Sequence, residues 1–465
     1  MPLPQAPLSR VATAVLMALA LAACGGGGGD ATAAPPAAAP PLAGPPVAPG
    51  AGPEFVVMLN PGSDIAPLAT ARGATVLDRF GSRPIWRLRA AAGATLDATL
   101  AAWRADVRVR FAEANDAGSI PLARDQVVWA VDQVVWAVGQ GEAEAASQWA
   151  PPQLALAEAQ GLASGAGVRV AVFDTGIELT HPLLAPRLAR DGAGRLVGID
   201  LVDGDADPRE DGQPGERGYG HGTHVAGIVA QAAPGAQLMP VRVLDRQGRG
   251  NAWVLAEALL WALDPDGNPA TDDGARVLNF SLSTPQPTRL LKAAMKLASC
   301  DEGDDEDNEP DDVNFGEPGF EADKARCDAG RGAVVLAAAG NDGGTAPQYP
   351  AAEKAYGKLA VTAVAQSKAL PVFANRGDWV ELAAPGDRIV SAWPGGRYAT
   401  ASGSSMSTPW AAGVAALVLQ LNPAWKPVDV TKRLLDRSAP VCGDPVLRRL
   451  HAHGAVADFV PPADC

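Results

Sequence analysis

The sequence predicts an α/β fold: a mostly parallel sheet with helices on both faces, preceded by a small α/β domain. Segments that are apolar throughout, such as VAVF and AVVLAAA, alternate with helix-like segments such as NAWVLAEALLWAL. Strands that are apolar on both faces are typical of parallel sheets buried between two layers of helices. Shorter segments with alternating apolar residues come before residue 117, and they predict the small domain.

The composition is that of a chain that can bury a large core. Of its 465 residues, 47% are hydrophobic and 19% are charged. The formal net charge is −14, and the sequence contains no basic patch of the kind that nucleic-acid binding requires. We therefore expect one large domain or a few smaller ones, and no nucleic-acid partner.

The first residues are typical of an export signal. Arg10 precedes the apolar segment VATAVLMALALAA, which is too short to span a bilayer as a helix. The segment ends in LAAC, which resembles the lipobox of bacterial lipoproteins, where the signal is cut before the cysteine and the cysteine is acylated. An ordinary signal peptide with a chance cysteine is the alternative. We predict a signal peptide over residues 1–23, a lipid on Cys24, and a protein anchored at the bacterial envelope or released after maturation.

Two segments have the composition of linkers. Residues 24–53 are rich in Gly, Ala and Pro and cannot bury a core, which predicts a flexible to semi-extended tether. Residues 117–147 contain the heptapeptide DQVVWAV twice in succession, at 125–131 and 132–138. Two copies are too few for a coiled coil, and the valines favour an extended conformation. A duplication in a tolerant linker is the simplest interpretation.

Residues 54–116 contain the elements of the small domain. The segments EFVVML, RPIWRLR and VRVRFAEAND alternate like strands, and TLDATLAAWRAD has the pattern of a helix. Strands and helices alternating over so short a stretch are consistent with a small α/β sandwich.

Residues 148–465 form the predicted large domain. Its strand-like segments include GVRVAVFD, AQLMPVRVL, GARVLNFSLS, GAVVLAAAGN and KLAVTAVA, and its helix-like segments include HGTHVAGIVAQA, NAWVLAEALLWAL and TRLLKAAMKLA. Sites in such sheets form at the carboxyl ends of the strands. Reactive residues of this domain are therefore expected at those positions.

Four segments place reactive residue types at strand ends or helix starts. Asp174 ends one predicted strand, and its carboxylate can hold an imidazole in one tautomer. His221 stands at the start of a helix between two glycines, and Asn341 follows another strand. The adjacent Ser404 and Ser405 open a further helix, whose N-terminus favours developing negative charge. A serine is a weak nucleophile unless a base and an orienting group accompany it.

These segments resemble a known family. VAVFDTGIE, GHGTHVAG, VLNFSLS, AAAGN and GSSMSTPWAAG are similar, in this order, to the signature blocks of the subtilisin-like serine proteases. The chain order Asp, His, Ser is also the order of that family. The resemblance covers about residues 148–440 and implies a large, mainly parallel α/β sheet and a serine endopeptidase.

The resemblance also implies a role for each residue. The family block reads Gly-Thr-Ser-Met, so the nucleophile is Ser405, and Ser404 occupies the usual threonine position with its hydroxyl kept. His221 is then the general base and acid, Asp174 orients it, and Asn341 binds the oxyanion together with the Ser405 N–H. No cofactor is required for this chemistry.

Further residues are assigned by the same resemblance. Segments lining the substrate cleft correspond to Ser281, Leu282, Ser283 and Gly340, although Ser283 replaces the glycine usual in the family. His224 is expected to be structural. His181, His451 and His453 lie outside the blocks and are expected in loops or at the surface.

The resemblance implies partners as well. The substrates are proteins or peptides, the protein is a monomer, and residues 54–116 resemble the inhibitory propeptide, whose carboxyl end occupies the cleft. Maturation is then expected between about Asp116 and Gln148, with self-cleavage as one route. The alternative from another functional class is a lipid-tethered scaffold or binding protein that kept the fold and lost the reaction.

The five cysteines support an exported protein. If Cys24 carries lipid, four remain, and we expect the local pairs Cys300–Cys327 and Cys442–Cys465 among the three possible connectivities. Loops of this size gain about 3 kcal/mol each from a disulfide.

Two acidic stretches are candidates for a structural calcium ion. A calcium loop found in some family members is absent here. The stretch GIDLVDGDADPREDG offers four carboxylates, at Asp203, Asp205, Asp207 and Asp211. A solvated loop explains this stretch equally well. The acidic insertion at 301–326 could bind calcium, remain solvated above its disulfide, or bind a basic partner.

Overall fold

The structure is a computed structural model that describes residues 52–115, 134–301 and 313–465, with backbone only for 134–140. The predicted signal peptide, Cys24, nearly all of the tether, the first heptapeptide copy and residues 302–312 of the acidic insertion lie outside the described residues. Within the described part of the chain, no helix is both long enough and apolar enough to cross a bilayer.

Residues 54–114 fold into a four-stranded antiparallel sheet with two helices. The elements are β1 (Glu54–Leu59), α1 (Ile65–Ala71), β2 (Thr75–Arg79), β3 (Ile85–Arg89), α2 (Leu96–Arg104) and β4 (Val109–Ala114). The strand order is β2-β3-β1-β4. Asp64 and Thr95 begin the helices, because each side chain accepts a hydrogen bond from a backbone N–H of the first turn.

Both faces of this small sheet are buried, because successive side chains of a strand point to opposite faces. Phe55 and Val57 of β1 pack with Trp103 in a core shared with α1 and α2. Val56 and Met58 face the other way and belong to an apolar cluster built mainly by the large domain. The small domain therefore contributes one face of its sheet to the core of the rest of the chain.

The large domain is built on a nine-stranded sheet in the order β15-β16-β12-β11-β10-β9-β6-β8-β7. Its strands are β6 (Arg169–Asp174), β7 (Ile199–Asp200), β8 (Gln237–Arg242), β9 (Val277–Phe280), β10 (Val334–Ala338), β11 (Lys358–Val364), β12 (Leu382–Pro385), β15 (Ala439–Val441) and β16 (Asp444–Arg449). Every neighbouring pair is parallel except β15 and β16. The predicted mostly parallel sheet is confirmed.

Helices cover both faces of this sheet. They are α3 (Glu142–Ser147), α4 (Ala150–Gln153), α5 (Leu156–Gln160), α6 (His221–Ala232), α7 (Ala252–Leu263), α8 (Arg289–Ser299), α9 (Glu321–Asp328), α10 (Ser404–Leu421), α11 (Pro427–Asp436) and α12 (Ala452–Ala457). Val170 and Val172 of β6 pack in the cluster that contains α6 and α10. Ala171 and Phe173 pack in the cluster that contains α7 and α8. This alternation explains why the strand is apolar at successive positions.

A separate three-stranded antiparallel sheet leads into α10. It consists of β5 (Val134–Gln140), β13 (Ile389–Trp393) and β14 (Arg397–Ser402), in the order β13-β14-β5. The second heptapeptide copy thus provides most of a strand, in agreement with the extended conformation expected from its valines. The first residue of β5, Val134, pairs with Ser402, which precedes the helix that carries Ser405.

Both expected local disulfides are present. Cys300–Cys327 joins the end of α8 to α9, and Cys442–Cys465 joins the turn after β15 to the last residue of the chain. The first disulfide closes the base of the acidic insertion.

Candidate active site

The candidate site lies at the carboxyl ends of three neighbouring strands. Asp174 is the last residue of β6, Ser281 follows β9, and Asn341 comes shortly after β10. These strands are adjacent in the order β10-β9-β6, so their ends lie side by side. The N-termini of α6 and α10 bring His221 and Ser405 to the site.

Asp174 and His221 form a buried hydrogen-bonded pair. The distance between His221 Nδ1 and Asp174 Oδ1 is 2.7 Å, and both side chains are at most 1% exposed. Asp174 Oδ1 also accepts a hydrogen bond of 2.8 Å from the Thr175 N–H. Gly222 allows this approach, because a Cβ there would lie 2.1 Å from the carbonyl oxygen of Gly176. A carboxylate held this way directs the Nδ1 proton and leaves Nε2 as the basic atom.

Ser405 is the second residue of α10 and is 3% exposed. Its hydroxyl donates to the carbonyl oxygen of Ser281 at 3.1 Å, and the Ser281 hydroxyl donates to the Ser405 carbonyl oxygen at 2.9 Å. The Asn279 side chain donates to the Ser281 hydroxyl at 3.0 Å. The end of β9 therefore holds the start of α10 through two reciprocal hydrogen bonds.

An Asp-His-Ser relay has two hydrogen bonds, one between Asp and His and one between His and Ser. The structure contains the bond between Asp174 and His221. The Nε2 atom of His221 is buried and hydrogen-bonds to no other group among the described residues. The Ser405 hydroxyl uses Ser281 as its acceptor instead. Catalytic hydrogen bonds are often long or absent in unliganded enzymes and form when substrate is bound.

Asn341 and Ser404 tie the end of β10 to the N-terminus of α10. The Asn341 Oδ1 atom accepts a hydrogen bond of 2.7 Å from the Ser404 N–H. Because Oδ1 is the acceptor in this contact, the Nδ2 group of Asn341 points away from the Ser404 N–H. The Ser404 hydroxyl accepts a hydrogen bond of 3.0 Å from the Gly340 N–H. The Ser404 hydroxyl therefore links α10 to the end of β10, whereas the Ser405 hydroxyl contacts the end of β9.

The predicted cleft residues follow β9 and β10. Ser281 and Leu282 are buried, whereas Ser283 is partly exposed. Gly340 has a φ of +92°, and a Cβ there would lie 2.7 Å from the Asn375 side-chain nitrogen. Only glycine is free of strain at that position.

The remaining histidines do not join the site. His224 is buried, and its Nε2 lies 3.1 Å from the carbonyl oxygens of both Ile389 and Ala399. Burial lowers the pKa of His224 to about 4, so the ring is neutral near pH 7 and structural, as expected. His181 was expected in a loop or at the surface, and it lies in a loop but not at the surface. Its ring is fully buried and bonded to the Arg397 carbonyl oxygen.

Glu210 is a residue of the site that the sequence analysis missed. Its Oε2 atom accepts a hydrogen bond of 2.7 Å from the Thr223 hydroxyl, and its Oε1 atom accepts from the Gly220 N–H. It therefore braces the first turn of the helix that begins at His221. Burial, with a smaller contribution from the nearby Asp174 carboxylate, raises the pKa of Glu210 to about 8. Glu210 was not singled out because it lies in an acidic stretch, where nothing in the sequence distinguishes it from its neighbours.

The carboxylates proposed as calcium ligands have other partners. Asp203 and Asp211 both pair with the Arg242 guanidinium, which also binds the buried Asp200. Asp205 accepts from the Asp207 N–H. An arginine from β8 thus pairs with two of the four candidate ligands, and calcium binding by this stretch stays a prediction. A different acidic group, elsewhere in the described residues, brings carboxylate oxygens within 4.8 Å of one another at Asp264, Asp266 and Asp273.

Comparison with known proteins decides the family. A profile described as the subtilase family matches residues 165–454, which is more than half of the chain. The chain belongs to the subtilase family.

Individual relatives of this subtilase agree. Subtilisin BL from Lederbergia lenta is 34% identical over 291 residues, which make up 61% of this chain and 87% of the relative. Thermitase from Thermoactinomyces vulgaris is 33% identical over 282 residues, 58% of this chain and 81% of the relative. A solved protease structure from Pseudoalteromonas arctica is 27% identical, with a TM-score of 0.52 over 66% of this chain and 94% of that chain. This subtilase is a serine endopeptidase.

Proposed function

We propose that this subtilase cleaves peptide bonds through an acyl-enzyme on Ser405. The observation that carries the proposal is the buried Asp174–His221 pair, which leaves a basic Nε2 without another partner among the described residues. The mechanism requires the Ser405 side chain to rotate away from Ser281 and to donate its hydroxyl proton to that base. His221 removes the proton as Ser405 attacks the substrate carbonyl, and later delivers it to the leaving amine.

Asn341 and the Ser405 N–H are the proposed oxyanion donors. The start of α10 adds the positive end of a helix dipole, which favours the negative charge of the tetrahedral intermediate. Ser281, Leu282, Ser283 and Gly340 are proposed to contact the substrate backbone. All of this chemistry uses side chains and backbone of the chain itself.

The test is hydrolysis of casein and of a fluorogenic peptide by the matured protein. Ser405→Ala is expected to abolish both activities, whereas Ser404→Ala, the matched control one residue away, retains them. Equal loss in both variants would contradict the assignment of Ser405. Full activity in Ser405→Ala would contradict the mechanism, and an inactive wild type would favour a scaffold.

The small domain is proposed to be an inhibitory propeptide. Its last strand reaches the starts of two helices of the large domain. The Glu113 carboxylate accepts hydrogen bonds of 2.8 Å from the N–H groups of Arg289 and Leu290, and Asn115 accepts one from the Trp253 N–H. These contacts hold the carboxyl end of the small domain against α7 and α8. Intact mass is expected to show a cut between residues 116 and 148 in the wild type and none in Ser405→Ala.

The amino-terminal export signal completes the proposal. Cys24 is proposed to carry lipid after removal of residues 1–23. Metabolic labelling with palmitate should mark the wild type but not Cys24→Ser. Labelling of both, or of neither, would contradict the lipid anchor.

A further inference from the structure

We propose that residues 313–328 are a docking surface that keeps the small domain bound after the chain between the two domains is cut. We call these residues the docking segment. They comprise residues 313–326 of the acidic insertion together with Cys327 and Asp328. The inference rests on the proposed maturation only for the existence of that cut, because the contacts themselves are independent of catalysis.

Two arginines of the small domain bind carboxylates of the docking segment. Arg83 forms a bidentate salt bridge with Asp323, in which its Nε and Nη2 atoms donate to the two carboxylate oxygens at 2.8 and 2.6 Å. The side chains of Arg83 and Asp323 are only 12% and 4% exposed. Arg110 contacts both oxygens of Glu317 at 2.9 and 3.0 Å, with exposures of 11% and 19%. Paired hydrogen bonds of this kind are strong and directional, and burial protects them from screening by salt.

The backbone of the docking segment also approaches the small domain closely. The Ser82 hydroxyl donates to the Gly319 carbonyl oxygen at 2.7 Å. Gly319 has a φ of +99°, and a Cβ there would lie 2.7 Å from the Ser82 carbonyl oxygen. Glycine at this position therefore satisfies both the local backbone and the contact with the turn between β2 and β3.

Apolar side chains close the contact. Phe80 and Phe111 of the small domain share one buried cluster with Val313, Phe315 and Phe320, each at most 5% exposed. If the small domain left, these side chains would face water on both partners. The loss of apolar burial therefore opposes release.

The Cys300–Cys327 disulfide and Arg326 hold the docking segment in place. Arg326 is 4% exposed and donates to the carbonyl oxygens of Leu297 and Arg331. Asp323 lies on the same short helix, α9, as Arg326 and Cys327. The disulfide thus fixes the position of α9, and with it the Asp323 carboxylate that binds Arg83. Among the described residues, none of these contacts involves Asp174, His221 or Ser405, so docking can persist when the cleft is empty.

The experiment uses the full chain with Ser405→Ala and a recognition site for a sequence-specific protease inserted between residues 116 and 133. Self-cleavage is then unnecessary, so failure of the proposed peptidase mechanism would not affect the result. After complete cutting, the dissociation constant of the two fragments is measured. We expect co-elution at physiological salt, and a dissociation constant raised at least about 10-fold by Arg83→Asp.

Matched variants separate docking from folding. Arg108→Ala removes an exposed arginine of the same domain that pairs within the domain with Asp106, and it should leave the constant unchanged. Combining Arg83→Asp with Asp323→Arg should recover most of the lost affinity. Each variant is checked for its melting temperature before cutting. Separation of the wild-type fragments, or equal constants for Arg83→Asp and Arg108→Ala, would overturn the proposal.

Discussion

The Nδ1 atom of His221 lies 2.7 Å from Oδ1 of Asp174, and both side chains are shielded from water. The pair joins the end of β6 to the start of α6, which are 47 positions apart in the chain. The parallel sheet creates this contact, since it carries Asp174 to the edge where α6 begins. The proposed mechanism depends on the Nε2 atom of His221, which this pair leaves available as the base.

Replacement of Asp174 by Asn should lower kcat by about 10⁴-fold, because the amide would favour the wrong tautomer of His221. The fold should survive, since the side chain keeps its shape. The measurement is kcat of the matured variant together with its melting temperature. A loss of less than 10-fold would show that the pair is not part of the mechanism.

Replacement of Asn341 by Ala should lower kcat by about 10²–10³-fold with little change in KM, because an oxyanion donor acts in the transition state. Asn341 also accepts from the Ser404 N–H, so a structural effect must be separated. Asn341→Asp keeps an acceptor for Ser404 but has no donor, and it should be equally impaired. Near-normal kcat in Asn341→Asp would argue for a purely structural residue.

Glu210 should make folding stability depend on pH. Its pKa is raised by burial from 4.5 to about 8, so folding takes up a proton between those values. This contribution to stability is therefore lost as the pH rises from the ordinary pKa toward 8. In Glu210→Gln the fall of the melting temperature over this range should be smaller than in the wild type. Parallel curves for the two proteins would contradict the assignment.

Glu257 should make docking of the small domain weaker at alkaline pH. The pKa of this α7 carboxyl is raised to about 8, chiefly by burial and in part by Asp78, while Arg87 acts in the opposite direction. Asp78 and Arg87 belong to the small domain, and Arg87 also lies over the Trp253 ring. Affinity between the cut fragments should fall as the pH rises from 4.5, the ordinary pKa of a glutamate, toward about 8, the pKa of Glu257 in the folded chain. Glu257→Gln should flatten that dependence, and an unchanged pH profile would refute it.

Much of the fold was predictable because central strands of the large sheet, such as β6 and β10, are apolar at successive positions. That pattern in β6 follows from burial of Val172 on one face and Phe173 on the other. Asp174, His221 and Ser405 could be assigned from short segments that resemble family blocks.

The contacts that the sequence did not reveal join distant parts of the chain. Arg83 and Asp323 are 240 positions apart, and nothing local marks either as a partner. The sequence offered Asp203 and Asp211 as calcium ligands and did not show that both pair with Arg242 of β8. Glu210 was missed for the same reason, since its bonds form only when α6 packs beside its loop.

The most direct test of the central claim is to locate the adduct of a fluorophosphonate on the matured enzyme by peptide mass spectrometry. The probe reacts only with a serine whose hydroxyl is activated by a neighbouring base. The account predicts one adduct, on Ser405, that disappears in His221→Ala. An adduct on Ser404 or on another serine, or labelling of Ser405 that persists without the imidazole, would contradict it.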